Sequence, residues 1–262
     1  MATHRATTPL AAYVLHSYDW SESSLIVDLL TRSQGRLVVV AKGAKRPTSN
    51  FRPLLLPFHP LSVWLSKGAA ADEQGEVKSL RAAEWGGGAP LPAEALMSGF
   101  YLNELLQKGL ARQDPHPTLF DAYAQTLAAL AAPAVFAAQT PPDEELTAAV
   151  TLRAFELVLL RELGLLPDLS LVTASAEPVA PTRRYALRAE QGLAPDSEGA
   201  SGATWVALQA ALQHGSLAAL RQACAAALPE LKAALRTLLH YHLGTPMMRT
   251  RQVMIELQTL NP

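Results

Sequence analysis

The chain has 262 residues, of which 49% are hydrophobic and 17% are charged, and its formal net charge at pH 7 is −1. This length suits one large domain or two modest ones, and no uninterrupted apolar run is long enough to span a bilayer. The single cysteine, Cys224, excludes an internal disulfide and a multi-cysteine metal site. Positions 1–10 lack the apolar core of a signal peptide, so we expect a disordered tail there and a cytoplasmic protein with no membrane partner.

The small net charge conceals a basic segment near the N-terminus. Positions 32–81 carry nine basic and three acidic residues, whereas positions 82–214 carry seven basic and fifteen acidic residues. Positions 215–262 are again mildly basic, with five basic and two acidic residues. A nearly neutral protein of this kind contacts polyanions locally or not at all, so the pattern favours a nucleic-acid contact in the basic segment.

Residues 11–85 predict a small β domain. Apolar alternation at 12–18 and apolar runs at 24–31 and 37–41 predict three strands, with a hairpin turn at Ser33-Gln34-Gly35-Arg36. Further extended segments are predicted at 54–65, where Pro57 and Pro60 indicate an edge or a bulge, and at 77–85. Five short strands favour a closed barrel or a sandwich, and in a small barrel the exposed face and its loops usually bind the ligand.

The segment LVVVAKGAKRPTSNFR at 37–52 passes from a buried strand into a basic loop. Its β-branched first half predicts a strand, and the residues after Ala41 predict a loop. The loop and its flanks carry Lys42, Lys45, Arg46 and Arg52, which phosphate groups can contact without strict geometry. A solvated charged turn is the alternative interpretation, because charged loops are common on protein surfaces.

Three glycines and a proline in the segment 86–91 predict a linker, and the chain after it is mainly helical. Helices are predicted at 92–111, 118–132, 143–163, 205–214, 217–227, 229–243 and 248–257. In the first of these, Leu96, Phe100, Leu102, Leu105, Leu106 and Leu110 form the apolar face. Residues 168–203 interrupt the helical domain 92–262 with a weakly structured polar loop and a small hairpin around Glu190-Gln191-Gly192.

Motifs for covalent chemistry are missing from the sequence. No phosphate-binding loop or nucleophile elbow occurs, and Cys224 has no neighbour in sequence that would activate it. His240 and His242 are two residues apart on a helix, so they point about 200° apart and cannot share a metal ion. We therefore expect no cofactor, no metal site and no enzyme, although a site assembled in space leaves no local motif.

Several segments, in the same order along the chain, resemble the bacterial recombination mediator family RecO. They are YVLHS at 13–17, WSESSL at 20–25, Asp28, Gly35-Arg36, VAKGA at 40–44, GEVKSLR at 75–81, SGFYLNELL at 98–106, RAFELVLL at 153–160, Leu163-Gly164, Leu243-Gly244 and RTR at 249–251. The resemblance covers most of residues 11–257. The tail and the 168–203 segment contribute little to it.

The resemblance implies an α+β protein in which a five-stranded OB-fold barrel at 11–85 precedes a mainly helical domain. It implies binding of single- and double-stranded DNA, annealing of complementary strands, and cooperation with RecR to load RecA onto DNA coated by single-stranded DNA-binding protein (SSB). Some members of the family carry a four-cysteine zinc module in the helical domain. This chain resembles the zinc-free branch, with 168–203 in the corresponding place. The expected location is cytoplasmic, associated with the nucleoid during repair.

Charge and resemblance together select the candidate site residues. The predicted DNA-binding residues are Arg36, Lys42, Lys45, Arg46, Arg52, Lys78 and Arg81. The rings of Trp20, Phe51 and Phe58 could stack on bases, but we expect each of them in the core. Family members bind the acidic C-terminal tail of SSB through the helical domain, and Arg153, Leu157 and Leu160 at helical spacing are the predicted site.

Alternatives remain at each level. Arg153 could instead be a surface residue paired with Glu156 or Glu145, and Arg249 and Arg251 could extend either surface. The whole protein could be a non-catalytic adaptor that binds RecR or SSB with only incidental DNA binding. A nuclease with a spatially assembled site is a third hypothesis, but nucleases use acidic metal ligands, which are scarce at 32–81.

Overall fold

A computed structural model describes residues 8–66, 78–132, 144–244 and 248–260 of the chain, without the side chains of 144–146 and 257–260. The predicted tail at 1–10 therefore lies mostly outside the described residues, as do Val77 and Asp143, where a strand and a helix were predicted to begin. The chain divides into two compact units. The first comprises Met1–Pro92 and Asn103–Ala124, and the second comprises Ala93–Leu102 and Gln125–Pro262.

A closed barrel of five strands forms the body of the first unit, as predicted. The strands are β1 (Leu10–Asp19), β2 (Leu25–Thr31), β3 (Gly35–Ala41), β4 (Pro60–Leu65) and β5 (Lys78–Trp85). Their order is β1-β2-β3-β5-β4, with β4 returning to β1. All pairings are antiparallel except β3 with β5. The extended run predicted from Leu54 is corrected, because residues 51–55 form turns and β4 begins only at Pro60.

The barrel closes because alternate residues of its strands are apolar and small enough to fill its interior. Val27 and Leu29 on β2 and Leu37, Val39 and Ala41 on β3 are buried together. The predicted hairpin turn is confirmed, and Gly35 has a φ of +69°. A Cβ at Gly35 would lie 2.1 Å from the carbonyl oxygen of Asp114, so this position requires glycine for close approach as well as for conformation.

Residues 103–124 cover part of the outer surface of the barrel. The ring of Tyr13 packs against Phe120 and edge-on against Tyr123, at centroid distances of 5.4 and 5.1 Å. The Tyr123 hydroxyl donates a hydrogen bond to Asn103 Oδ1 (2.6 Å), and Asn103 Nδ2 donates to the carbonyl of Leu15 (2.9 Å). These buried bonds anchor the segment against β1.

The helices of the chain lie close to the predicted ranges. They are α1 (Leu96–Gly109), α2 (Pro117–Ala131), α3 (Glu144–Glu162), α4 (Gly202–His214), α5 (Leu217–Ala225), α6 (Leu228–Leu243) and α7 (Arg249–Leu260), and a short 3-10 turn (Ala93–Ala95) precedes α1. In the second unit α3 packs against α5 and α6. The apolar face predicted for α1 is correct from Leu102 onward, but Leu96 and Phe100 are exposed. None of the described helices is both long and apolar enough to cross a bilayer.

The segment 168–203 is more ordered than its composition suggested. The predicted hairpin is present as β6 (Arg184–Arg188) and β7 (Gly192–Pro195), and a third strand, β8 (Ala200–Ser201), pairs with β6. The expectation of a weakly structured polar loop is therefore corrected. Leu169, Leu187 and Leu193 are buried beneath the polar residues. Strands of five, four and two residues are too short to show a clear alternating pattern in sequence.

Candidate nucleic-acid interface

The basic residues of the first unit separate into neutralised and available groups. Arg32 pairs with Asp121, Arg36 with Asp28 and Lys45 with Asp19. Four further cations are exposed, and their side chains have no ion pair or hydrogen bond among the described residues: Lys42, Arg46, Arg52 and Arg81. All four were predicted to bind DNA, and the geometry leaves their charges open to a phosphate.

Two of these cations lie just beyond the pairing of β3 with β5, in which Val40 lies opposite Ser79. Lys42 follows the end of β3, and Arg81 lies two residues after Ser79 on β5. Both are exposed, whereas the preceding Ala41 and Leu80 are buried in the barrel core.

Trp20 lies at the same end of the barrel. Tyr18 lies opposite Ile26, and Ile26 lies opposite Val40. Beyond these paired residues, the backbone N–H of Trp20 donates to the carbonyl of Ser24 (3.2 Å), and the N–H of Gly43 donates to the Ser24 hydroxyl (3.4 Å). Trp20, Ser24 and Lys42 therefore lie just past the ends of β1, β2 and β3, and together with Arg81 of β5 we call them the Trp20–Arg81 row.

Exposed aromatic rings border the row. Trp20 is 64% exposed and Tyr18 is 49% exposed, and the Tyr18 ring meets that of His16 edge-on at 4.4 Å. The prediction of a core role is wrong for Trp20 and confirmed for Phe58, while Phe51 packs partly buried against the barrel core. Sequence reasoning missed Tyr18, which lies in the exposed final part of β1, two residues before Trp20.

Lys45 connects the loop after β3 to the turn between β1 and β2. Its Nζ lies 3.2 Å from Asp19 Oδ1 and donates to the carbonyl of Ser21 (3.1 Å). Its backbone N–H donates to the carbonyl of Ser23 (2.9 Å). Asp19 neutralises part of its charge, so Lys45 holds the turn that carries Trp20 and is less available to phosphate than Lys42.

Arg36 is enclosed, although it was predicted to bind DNA. Its guanidinium makes a bidentate contact with Asp28, at 3.0 Å from Nε and 2.7 Å from Nη2. Its Nη1 donates to the carbonyls of Gln107 and Leu110, where a cation complements the C-terminal end of α1. The side chains of Arg36 and Asp28 are only 15% and 2% exposed, so we assign Arg36 a structural position and remove it from the interface.

Lys78 is partly enclosed. Its Nζ donates to Gln34 Oε1 (2.9 Å), and the residue is half-buried beside Val39. A neutral acceptor leaves the positive charge in place, so Lys78 can contribute to the local potential. It lies three residues before Arg81 on β5 and outside the Trp20–Arg81 row.

A second group of basic residues surrounds one buried carboxylate in the helical unit. Glu156 is fully buried and pairs with Arg153, and it accepts a hydrogen bond from the Tyr101 hydroxyl (2.7 Å). Burial raises the pKa of Glu156. Burial, followed by the proximity of Arg251 and Arg153, lowers the pKa of Arg236. Arg153 and Arg236 therefore both act on the Glu156 carboxylate, and Arg251 lies near Arg236.

The structure contains the Arg153–Glu156 pair that the sequence offered as an alternative. The Arg153 side chain is 11% exposed, and Leu157 and Leu160 are fully buried. The two leucines pack in the core of the unit in this conformation. Arg153 Nε and Glu156 Oε2 have no hydrogen-bond partner in the described part of the chain. The role of Arg153 toward a carboxylate ligand stays a prediction. Among the described residues, no His, Cys, Asp and Glu side chains cluster in a way that could hold a metal ion.

The strand order and the exposed row define the class of protein. A closed five-stranded barrel with this order and a parallel β3–β5 contact is an OB-type barrel, here followed by a mainly helical region.

Family comparisons agree with this class. The family model described as "Recombination protein O N terminal" matches residues 6–85, and the one described as "Recombination protein O C terminal" matches residues 93–251. The chain belongs to the RecO family of DNA repair proteins.

Curated relatives cover the full length of the chain. It is 51% identical to the DNA repair protein RecO of Polaromonas naphthalenivorans strain CJ2, over 99% of this chain and all of that protein. It is 48% identical to the protein of the same name from Verminephrobacter eiseniae strain EF01-2, over 99% of this chain and all of that protein. The protein of that name from Albidiferax ferrireducens is also 48% identical, over the whole of both chains.

Proposed function

We propose that this protein is a recombination mediator in DNA repair that binds single- and double-stranded DNA through the Trp20–Arg81 row and the adjacent loop. The observation that carries the proposal is that Lys42, Arg81 and the ring of Trp20 are all exposed on an OB-type barrel, and that neither cation has an ion pair among the described residues. Arg46 and Arg52 extend the basic surface along the loop that follows Lys42. Membership of the RecO family supports the proposal.

Annealing of complementary strands follows from the same surface. Lys and Arg side chains neutralise phosphates without reading sequence, so two strands held on such surfaces repel each other less. Base pairing then supplies the specificity. Trp20 contributes by stacking, which is typically worth about 1–3 kcal/mol per base and tolerates any sequence. We propose no covalent step and no cofactor for this activity, and we place the protein in the cytoplasm, at the nucleoid during repair.

With RecR, the protein would help to load RecA onto DNA coated by SSB. The proposed contact with SSB is the acidic C-terminal tail of that protein, received by the helical unit near Arg153. The positive charges of Arg153 and Arg236 near Glu156, with Arg251 near Arg236, support an incoming carboxylate at this place. Titration of a tail peptide into the Arg153→Ala variant tests the contact, and wild-type affinity would remove Arg153 from the site.

The DNA interface is tested by the triple variant Lys42→Ala, Arg46→Ala, Arg81→Ala. These side chains are exposed and unpaired in the described structure, so the variant should fold normally. Its affinity for single strands should fall for all sequences, and the slope of log K against log salt should shrink by about 0.7 for each phosphate that is no longer neutralised. Lys232→Ala, an exposed change on α6, is the matched control.

The same measurement separates a DNA-binding mediator from a protein-interaction adaptor. An unchanged salt slope in the triple variant would contradict the proposed DNA interface. If the purified wild-type protein does not bind oligonucleotides at low salt, the adaptor function is favoured instead.

A further inference from the structure

The turn that carries Trp20 also carries a carboxylate with no ion pair among the described residues. Residues 8–66 contain three acidic residues, Asp19, Glu22 and Asp28. Asp19 pairs with Lys45 (3.2 Å), and Asp28 pairs with Arg36 (2.7 Å). Glu22 is exposed, and its side chain forms neither an ion pair nor a hydrogen bond with a described residue. Its negative charge is therefore open to a ligand at this end of the barrel.

Other groups hold the turn in place. The backbone N–H groups of Trp20 and Ser21 donate to the carbonyl of Ser24 (3.2 and 3.4 Å), and the N–H of Ser24 donates to the Ser21 hydroxyl (3.2 Å). Lys45 ties the turn to the loop after β3 through the carbonyls of Ser21 and Ser23. Because none of these bonds uses the side chain of Glu22, its replacement should leave the turn and Trp20 in position.

Positive and negative charges separate along the Trp20–Arg81 row. Lys42 follows β3 and Arg81 lies on β5, and both are exposed cations without an ion pair among the described residues. In the turn, Lys45 offsets Asp19, so the charge of Glu22 remains. Phosphate groups therefore favour the β3 and β5 side of the row. The turn disfavours phosphate but offers the exposed ring of Trp20, on which an uncharged base can stack.

Single-stranded and double-stranded DNA meet these two sides of the row differently. A single strand has one backbone, so its phosphates can contact the cations while one of its bases stacks on Trp20. A duplex keeps its bases stacked inside and carries a second phosphate backbone. It therefore offers Trp20 no free base face, and its additional phosphates approach the charge of Glu22. An unpaired charge that repels the wrong partner is a general source of specificity.

We propose that the turn between β1 and β2 makes the protein prefer single-stranded to double-stranded DNA, with Glu22 as a specificity-determining residue. Trp20 accepts an unstacked base, and Glu22 repels the second backbone of a duplex. The proposal rests on the proposed DNA interface and adds which form of DNA that interface prefers. An annealed product is then held less tightly than the strands that formed it, so the duplex leaves the row and frees it for new strands.

The ratio of two dissociation constants tests the proposal. Fluorescence anisotropy at low salt measures the binding of one labelled oligonucleotide to the full-length chain, first as a single strand and then as a blunt duplex. Wild-type protein should bind the single strand more tightly. Glu22→Gln should reduce this preference about threefold and Glu22→Lys about tenfold, as expected for a change of one or two charges several ångströms from a phosphate in water. Trp20→Ala should reduce the preference by weakening single-strand binding alone.

A matched control separates a local effect from a change in net charge. Glu190→Gln removes an exposed carboxylate between β6 and β7 and should keep the wild-type ratio. Thermal unfolding followed by circular dichroism checks that every variant is folded. The proposal is overturned, and the DNA interface stands, if wild type prefers the duplex or if the Glu22 variants shift both affinities equally. If wild type binds neither form of DNA, the proposed function fails and this proposal fails with it.

Discussion

Basic side chains occupy opposite environments in the two units of this protein. In the barrel, Lys42 and Arg81 are exposed, as is Trp20, and the two cations have no ion pair among the described residues. In the helical unit, Arg153 is largely buried against the fully buried Glu156. Basic side chains are therefore open to solvent in one unit and enclosed in the folded core of the other. Burial and neighbouring carboxylates decide the role.

The same contrast exists within the barrel. Arg36, like Arg153, is paired with a buried carboxylate, whereas Arg81 is exposed. Replacement by Met would leave Asp28 buried without its cation, and we expect a loss of about 3–5 kcal/mol in the free energy of unfolding. Arg81→Met should change that energy by less than about 0.5 kcal/mol, as for most surface positions. Urea unfolding of both variants measures the difference.

DNA binding by the same pair should show the reverse order. At a temperature where both variants are folded, Arg36→Met should keep the salt slope of the wild type, and Arg81→Met should reduce it. If the salt slope of DNA binding were reduced in folded Arg36→Met protein, Arg36 would be part of the DNA interface, and the contrast between Arg36 and Arg81 would be wrong.

Replacement of Trp20 is expected to have the next largest effect, on the affinity for single-stranded DNA. Trp20→Ala should weaken single-strand binding by about 1–3 kcal/mol, the usual value of one stacked base, without altering the salt slope. Trp85→Ala is the matched control, because Trp85 is also largely exposed (59%) but ends β5 outside the row. Fluorescence titration with an oligonucleotide compares the two, and equal losses of affinity would show that Trp20 has no special place.

Glu156 makes stability in the buried cluster depend on pH. Burial raises the pKa of the folded carboxyl above its unfolded value, so protonation favours the folded state. Its contribution is fully present below the unfolded pKa and is lost as pH rises through the folded pKa. Each unit between the two values changes the free energy of unfolding by about 1.4 kcal/mol. Glu156→Gln should flatten this part of the profile between acidic and neutral pH, and a parallel profile would contradict the assignment.

The smallest effect is expected at Lys45. Its pair with Asp19 is largely exposed, and such pairs contribute about 0–1 kcal/mol. Lys45→Met should therefore be nearly neutral for unfolding, while its loss of charge weakens DNA binding less than Lys42→Met does. Competition binding at low salt ranks the two variants. If Lys45→Met had the larger effect, Lys45 would be a direct phosphate ligand in spite of Asp19.

Much of the barrel was predictable from local sequence. Apolar alternation located β1, apolar runs located β2 and β3, and an extended segment located β5, while Gly35 marked the hairpin because that turn needs a positive φ. The available cations Lys42, Arg46, Arg52 and Arg81 were also among the predicted site residues. These features depend on periodicity and turn chemistry over a few residues, which sequence shows directly.

Long-range partners were not predictable in this way. The anchors of Arg36 on α1 lie more than 70 residues away along the chain, at Gln107 and Leu110. The exposure of Trp20 depends on the turn between β1 and β2, and the small sheet at 184–201 depends on packing of short strands.

By itself, the sequence determined the strands and helices, the basic segment after β3 and membership of the RecO family, because each follows from local pattern or direct similarity. Only the tertiary structure decided which cations are available. It placed Arg36 against Asp28 and Arg153 against Glu156, and it left Lys42 and Arg81 exposed beyond the paired residues of β3 and β5. The physical reason is that the energy of a charge depends on its solvent exposure and nearest opposite charge, which distant segments of the chain supply.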